Sequence, residues 1–419
     1  MRAAKIQTTE PMQSRWTRNS VLLWLAGCGF VAICCAVFSA KQAVGTQDFR
    51  AFYGAGAMIR DCPALLYQLP AQAQWQRAAG RAGYVLPFYH PAYEALLYAP
   101  LSWLSYRAAY LVYAAWNMVL LWLCYLVSPP GESIFAGSRR PALLFLSFPL
   151  LLCIFVGQNS LIMLLVLCLV YRAIRAEKDV RAGVLLGLIT FKLATVVPLA
   201  LLLSIRRGRR FLAGFAVIAA ALIAVSTWLT GLRGTRDLVH LLAGATLAGD
   251  HSVDSQRHAA VWLHAMPNLS GLLYLCGSGH LPAHAAFALN LGLTLAVLGG
   301  AAYIQRRAAS EALAFSTAVV CAVLVSPHLY VYDFAALVLP MLLLRNRRLK
   351  DVAVVWFALP PILYGIGFLT WLAPAVAIPL LLLAICVAEF RARSGGQPEE
   401  PSDAAANRAQ AWVPMPTGR

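Results

Sequence analysis

The chain has 419 residues, of which 60% are apolar and only 12% charged, with a mean hydropathy of +0.68. A soluble domain carries about twice that charged fraction, so the composition excludes an ordinary water-soluble enzyme. The net charge of +17 arises from 34 Lys and Arg against 17 Asp and Glu, but the cations fall in short clusters between apolar runs, as topology signals do, rather than on a nucleic-acid-binding face.

The apolar runs approach the roughly 20 residues that cross a bilayer as a helix. A transmembrane β-barrel would alternate in segments of about ten residues instead. The expected fold class is therefore an all-α, polytopic membrane protein. Residues 1–20 carry Arg2, Lys5, Arg15 and Arg18 and read as a cytoplasmic segment. Residues 21–40 then read as an uncleaved signal anchor running outward. Residues 41–106 form an external segment, with a helix over 49–60, a break at Pro63, a helix near 70–82 and the turn Pro87-Phe88-Tyr89-His90-Pro91. Residues 93–106, rich in Tyr and Trp, suit an interfacial helix.

Spans follow over 107–127, 141–156 and 160–174, with Arg139-Arg140 in an inner loop and Gly157-Gln158-Asn159 as an outer turn. The run 183–205 differs, because both its ends are basic and Lys192 lies in its middle. Two half-helices that enter and leave on the cytoplasmic side satisfy the positive-inside rule, with Lys192 near the apex. After a span over 211–229, residues 231–266 read as a second external loop holding His251 and His258, and 267–276 as interfacial. Residues 284–304, 311–325, 329–344, 352–369 and 372–388 complete about ten spans plus one re-entrant pair. The membrane domain thus covers 21–390, and the Pro-, Gly- and Ala-rich tail 391–419 reads as disordered.

Ten cysteines are present, most of them within apolar runs, and no CxxC or HExxH spacing occurs. Neither a structural zinc site nor a zinc hydrolase is indicated. No cofactor is called for, although a divalent cation is compatible. Cys62 and Cys276 are the two loop cysteines, and nothing argues that they pair.

With carboxylates so scarce, Asp48 stands out, just beyond the first apolar run. Its bland role is to cap the helix that begins at Phe49. Yet the topology brings Asp48, His90, Gln158, Asn159 and His328 to the external face, together with His251 and His258, which in a loop are most simply solvated. Gln158-Asn159 also suits a plain turn. Lys192 and Asp333 lie within apolar runs, where an ionised side chain costs roughly 2.5 to 3.5 kcal/mol on insertion scales. Asp333 therefore needs a partner, and Lys192 or His328 would serve. Three classes compete: a membrane enzyme, a transporter or flippase of a lipid-linked sugar, and an envelope assembly protein. Polar groups gathered on one side favour the enzyme over a transport path, and no internal repeat is evident.

Several segments resemble glycosyltransferase family 87. Asp48-Phe49-Arg50-Ala51-Phe52-Tyr53-Gly54-Ala55-Gly56 is similar to its DF-x-x-YY-x-AG pattern, and Phe88 through Leu101 to its F-x-YPP-x-x-ALLFAPL pattern. Gly157-Gln158-Asn159-Ser160, the Ala182 to Leu188 stretch with Phe191-Lys192, and Ser326-Pro327-His328 with Tyr332-Asp333 resemble further family segments in the same order. Leu193 departs from the usual Pro, and His90 from the usual Tyr. The resemblance implies the membrane fold called GT-C, a polyprenyl-phosphate sugar donor with mannose the expected hexose, and a lipid or glycan acceptor in the envelope. Transfer would occur with inversion at the external face of a bacterial-type plasma membrane. It also implies Asp48 as general base, Lys192 and His328 facing the donor phosphate, and His90, Gln158, Asn159 and Asp333 in substrate binding.

Overall fold

A computed structural model describes residues 48–79, 85–129, 144–247, 263–277, 281–346, 348–367 and 372–394. The anticipated first span, Arg139-Arg140, His251 and His258 lie outside these residues. Among the described residues the regular structure is helical throughout. It begins with α1 (Phe49–Asp61), α2 (Leu69–Ala79), α3 (Ala92–Tyr98) and α4 (Tyr106–Val127). Then come α5 (Phe148–Val156), α6 (Ser160–Arg175), α7 (Asp179–Gly187), the long α8 (Leu193–Leu247) and α9 (Leu269–Leu275). The chain closes with α10 (Ala283–Arg307), α11 (Glu311–Val325), α12 (Val338–Leu343), α13 (Leu349–Gly367) and α14 (Ala377–Ser394).

Four helical stretches among the described residues are long and apolar enough to cross a membrane: Tyr106–Val127, Thr190–Ala243, His284–Arg307 and Ala373–Arg393. The second is not one rod. Gly208 (φ 73°, ψ −166°) and Gly231 (φ 74°, ψ 171°) take conformations closed to most residues and divide α8 into three segments. Trp228 and Leu232 on α8 and Leu295 on α10 are largely exposed, an apolar exterior that water would penalise and hydrocarbon would not.

The core is built around α11, which is buried from Ala312 to Leu324, and around the stretch that follows it. There a 3-10 turn over Val331–Leu337 passes into α12, with every residue buried. These two segments bury both apolar and polar faces, so they form the spine against which the site is assembled. Asp179 and Glu311 hold the bend at Gly208: Arg207 lies 2.6 Å from Asp179, and Arg206 lies 2.8 Å from Glu311. Two members of the basic cluster at 206–210 are thus structural ion pairs as well as topology signals.

The run 183–205 is interrupted as its central lysine suggested. α7 ends at Gly187, a short 3-10 turn spans Thr190–Lys192, and α8 begins at Leu193. Ile189, Thr190 and Phe191 are weak helix formers, which fits a break there. Three expectations are corrected. Residues 232–247 are helical rather than loop, with Arg233, Arg236 and His240 exposed along the helix. α14 continues to Ser394 past the expected start of a disordered tail, because Arg391 and Arg393 favour the negative end of the helix dipole and no Gly intervenes before Gly395. The interfacial helix expected over 93–106 is shorter, since Pro100 ends it and starts a 3-10 turn over Pro100–Trp103. Cys62 and Cys276 are both free.

Candidate active site

Asp48 occupies the N-cap position of α1, yet its side chain makes no capping hydrogen bond. Its backbone carbonyl accepts from Ala51 N–H at 2.9 Å, and the carboxylate turns elsewhere. Gln158 Nε2 donates to Asp48 Oδ2 at 2.7 Å, and Tyr332 is its second side-chain hydrogen-bond partner. The bland role is therefore rejected for the side chain and kept for the backbone.

The turn that delivers Gln158 depends on Gly157. α5 ends with Gly157 in the left-handed region (φ 73°, ψ 44°), where Gln158 N–H donates back to Cys153 O at 2.8 Å. This is a Schellman-type close, for which glycine is the favoured residue. A Cβ on Gly157 would lie 2.5 Å from Phe49 Cβ. The bare backbone thus lets the α5–α6 turn press against the start of α1, and Asp48 and Gln158 meet there.

Asp333 anchors the second half of the site. Its Oδ1 lies 2.8 Å from Lys192 Nζ and accepts from Ser160 Oγ at 2.6 Å, while Oδ2 accepts from Tyr330 N–H at 3.2 Å. Lys192 Nζ also stands 5.6 Å from the centre of the Tyr332 ring. Of the two partners open to Asp333 from sequence, Lys192 is the one that pairs. Tyr332 joins the halves, touching Asp48 and facing Lys192.

A cavity of about 100 Å³ opens between these elements, lined by His90, Gln158, Lys192, His328, Tyr332 and Asp333 among others. Asp48 reaches it through Gln158 and Tyr332. Burial pushes the Asp48 carboxyl above its ordinary range, against the hydrogen bonds and the Lys192 charge that pull it down. Burial likewise pushes the His328 imidazole down to about 4. With that value His328 is neutral near pH 7 and can offer a neutral N–H into the cavity beside Lys192.

Asn159 does not join this group. Its Nδ2 donates to Glu94 Oε1, away from Asp48. Glu94 is fully buried, accepts from Tyr98 at 3.2 Å and lies 2.6 Å from His90 Nδ1. Sequence reasoning passed over Glu94, Ser160 and Tyr332 as site residues. The first two had legible signals, the i,i+4 spacing of His90 and Glu94 and the adjacency of Ser160 to Gln158-Asn159.

Apolar helices that enclose two buried carboxylates, a lysine and a lined cavity define an integral membrane protein with a built polar site. The model of glycosyltransferase family 87 matches residues 88–327, more than half of the chain, and the chain belongs to that family. It is thus a membrane glycosyltransferase. The matched region contains His90, Gln158, Asn159 and Lys192, whereas Asp48, His328 and Asp333 lie outside it. No curated protein sequence and no solved structure matches the chain.

Proposed function

We propose that the protein transfers a hexose, with mannose the best candidate, from a polyprenyl-phosphate donor to a lipid or glycan acceptor of the envelope. In this reading it is a multi-pass protein of a bacterial-type plasma membrane with a GT-C architecture of about ten spans, and Lys192 sits at the tip of a re-entrant pair open to the external face. The observation that carries the reading is the 2.7 Å bond from Gln158 to Asp48 beside a cavity that also holds Lys192.

The chemistry follows from the charges. The acceptor hydroxyl gives its proton to Asp48 as its oxygen forms a bond to the anomeric carbon. The bond from that carbon to the phosphate oxygen breaks, and polyprenyl phosphate leaves with one more negative charge than it had in the donor diester. A base must be ionised and only moderately weak to work near neutral pH. The part-buried carboxyl of Asp48, raised in pKa and held by a neutral amide, suits that task. Lys192 and a neutral N–H from His328 suit the developing phosphate charge. Attack on the face opposite the phosphate inverts the anomeric carbon. The isoprenoid tail remains in hydrocarbon, as the apolar exterior allows.

The test is to purify the protein and incubate it with radiolabelled polyprenyl-phosphate sugars and membrane lipid extract. Sugar transfer to a lipid or glycan with inverted configuration is the expected result. Transfer from a nucleotide sugar alone, with polyprenyl-phosphate donors inert, would sink the donor assignment.

A further inference from the structure

His90 and Glu94 form a pair that the proposed step leaves unused. Glu94 sits in the third position of α3, fully buried, and Oε1 already accepts from Asn159 and Tyr98. A buried carboxylate is costly unless a cation or several donors compensate it. Its one ion-pair partner among the described residues is His90, whose Nδ1 lies 2.6 Å from Glu94 Oε2. Pro91 is the N-cap of α3, so His90 stands just before the helix and four residues ahead of Glu94.

The His90 ring is fixed by more than Glu94. Phe88 stacks on it with centroids 5.4 Å apart, Phe52 meets it edge-on at 5.3 Å, and Phe191 stacks at 6.5 Å. Aromatic faces favour a cation beside them. The side chain is 17% exposed, and His90 lines the same cavity as Lys192 and His328. With Nδ1 turned toward Glu94, the Nε2 edge is the one left for a ligand.

From this we infer that Glu94 orients His90 so that the Nε2–H of the protonated ring donates to the phosphate of the donor, making His90 a phosphate-binding residue and Glu94 its positioning residue. A carboxylate against one imidazole nitrogen fixes the tautomer and the orientation of the ring. The cavity has need of such a donor, since Lys192 is shared with Asp333 and His328 is neutral. The groups facing His90 are Glu94 behind it and Lys192, His328 and Asp333 across the cavity, with Asp48 beyond Gln158. This inference rests on the polyprenyl-phosphate reading above.

Its test is binding, measured without acceptor so that no turnover is needed. The probe is polyprenyl-phosphoryl mannose, a diester of fixed single charge, with the uncharged polyprenol as control. Titrations run from about pH 5.5 to about pH 8.5, either side of the ordinary imidazole range. Wild type is expected to bind the diester about tenfold more weakly at the basic end, as the imidazolium is lost. Glu94→Gln presents an amide N–H to Nδ1, which turns the ring to its neutral Nε2–H form and flattens that dependence. His90→Gln, at a part-exposed position, keeps a neutral donor and is also flat. Either variant retaining the wild-type pH dependence while well folded would overturn the inference, as would a wild type whose binding does not change with pH. A wild type that binds polyprenol as well as the diester overturns the donor reading itself. A protein that binds the diester with this pH dependence but transfers no sugar sustains the inference and removes only the transferase step.

Discussion

Gln158 donates to Asp48 across 2.7 Å although the two are separated by 110 positions in sequence. The bond ties the turn between α5 and α6 to the first residue before α1, and its energetic sense is specific. A buried donor stabilises the ionised carboxylate and opposes the burial that raises the Asp48 pKa. Gln158 thus holds the Asp48 pKa below the value that burial alone would give it.

Replacing Asp48 with Asn tests the base directly. The amide still accepts from Gln158 and fits the same space, so folding and membrane insertion are expected to persist. Because the folded pKa of Asp48 is raised, its ionisation works against the folded state as pH climbs through that value. The variant should therefore melt no lower than wild type near pH 7 in detergent. Loss of a general base costs about 10²- to 10⁴-fold in turnover. Initial rates of sugar transfer check this, and undiminished turnover would reassign the base. In wild type the rate should rise with pH through the Asp48 titration, and the variant should lack that limb.

The ion pair of Lys192 and Asp333 supports a second expectation. Both side chains are nearly buried, and a lone buried charge costs about 3 to 5 kcal/mol. Lys192→Met and Asp333→Asn should each lower the melting temperature, whereas the double variant should recover much of the loss. Activity should not recover with it, since in the proposed step the donor phosphate would lack its lysine. Parallel melting curves and transfer assays separate the two effects. A double variant no more stable than the singles would show that the pair contributes little to folding.

Much of this pairing was legible in the sequence, because two opposite charges in apolar runs have few ways to be satisfied except by each other. The same reasoning set Asp48, Gln158 and His328 apart. It could not separate Gln158 from Asn159, neighbours on one turn whose side chains leave in different directions, one to Asp48 and one to Glu94. Glu94 was obscured by its place in a short helix rich in Tyr, where a carboxylate looks solvated until the packing buries it. Residues 232–247 read as a loop because Gly231 precedes a run of Arg, Asp and His, yet that glycine bends one helix into the next. The charge state of His328 was also out of reach, since it depends on burial that no local pattern encodes.

The depressed pKa of His328 gives a pH prediction with a definite sign. Its neutral form belongs to the folded state, so the stability it contributes is present above the unfolded value near 6.5 and is lost as pH falls toward about 4. Acidification across that window should lower the stability of wild type by about 3 kcal/mol. His328→Gln, which keeps a neutral donor, should lose that part of the acid sensitivity. Melting temperatures at stepped pH check it, and an unchanged acid response in the variant would show that the ring is solvated and free to protonate.

Gly157 offers the sharpest test of how the fold places the proposed base. At φ 73° an alanine is strained, and its Cβ would fall 2.5 Å from Phe49 Cβ. Neither problem touches a substrate directly. The strain and overpacking together are expected to destabilise by about 1 to 3 kcal/mol. The turn must move away from α1 to relieve the contact, and Gln158 then withdraws from Asp48. Turnover should fall by about ten- to a hundredfold, since a shift near 1 Å in a positioning group has that effect. The acid limb of the rate profile should move to higher pH, because Asp48 loses the donor that lowers its pKa. Gln158→Leu removes the same donor without moving the turn, so it should reproduce the shifted limb. If Gly157→Ala lost stability but kept both its rate and its acid limb, the link from turn to base would be broken.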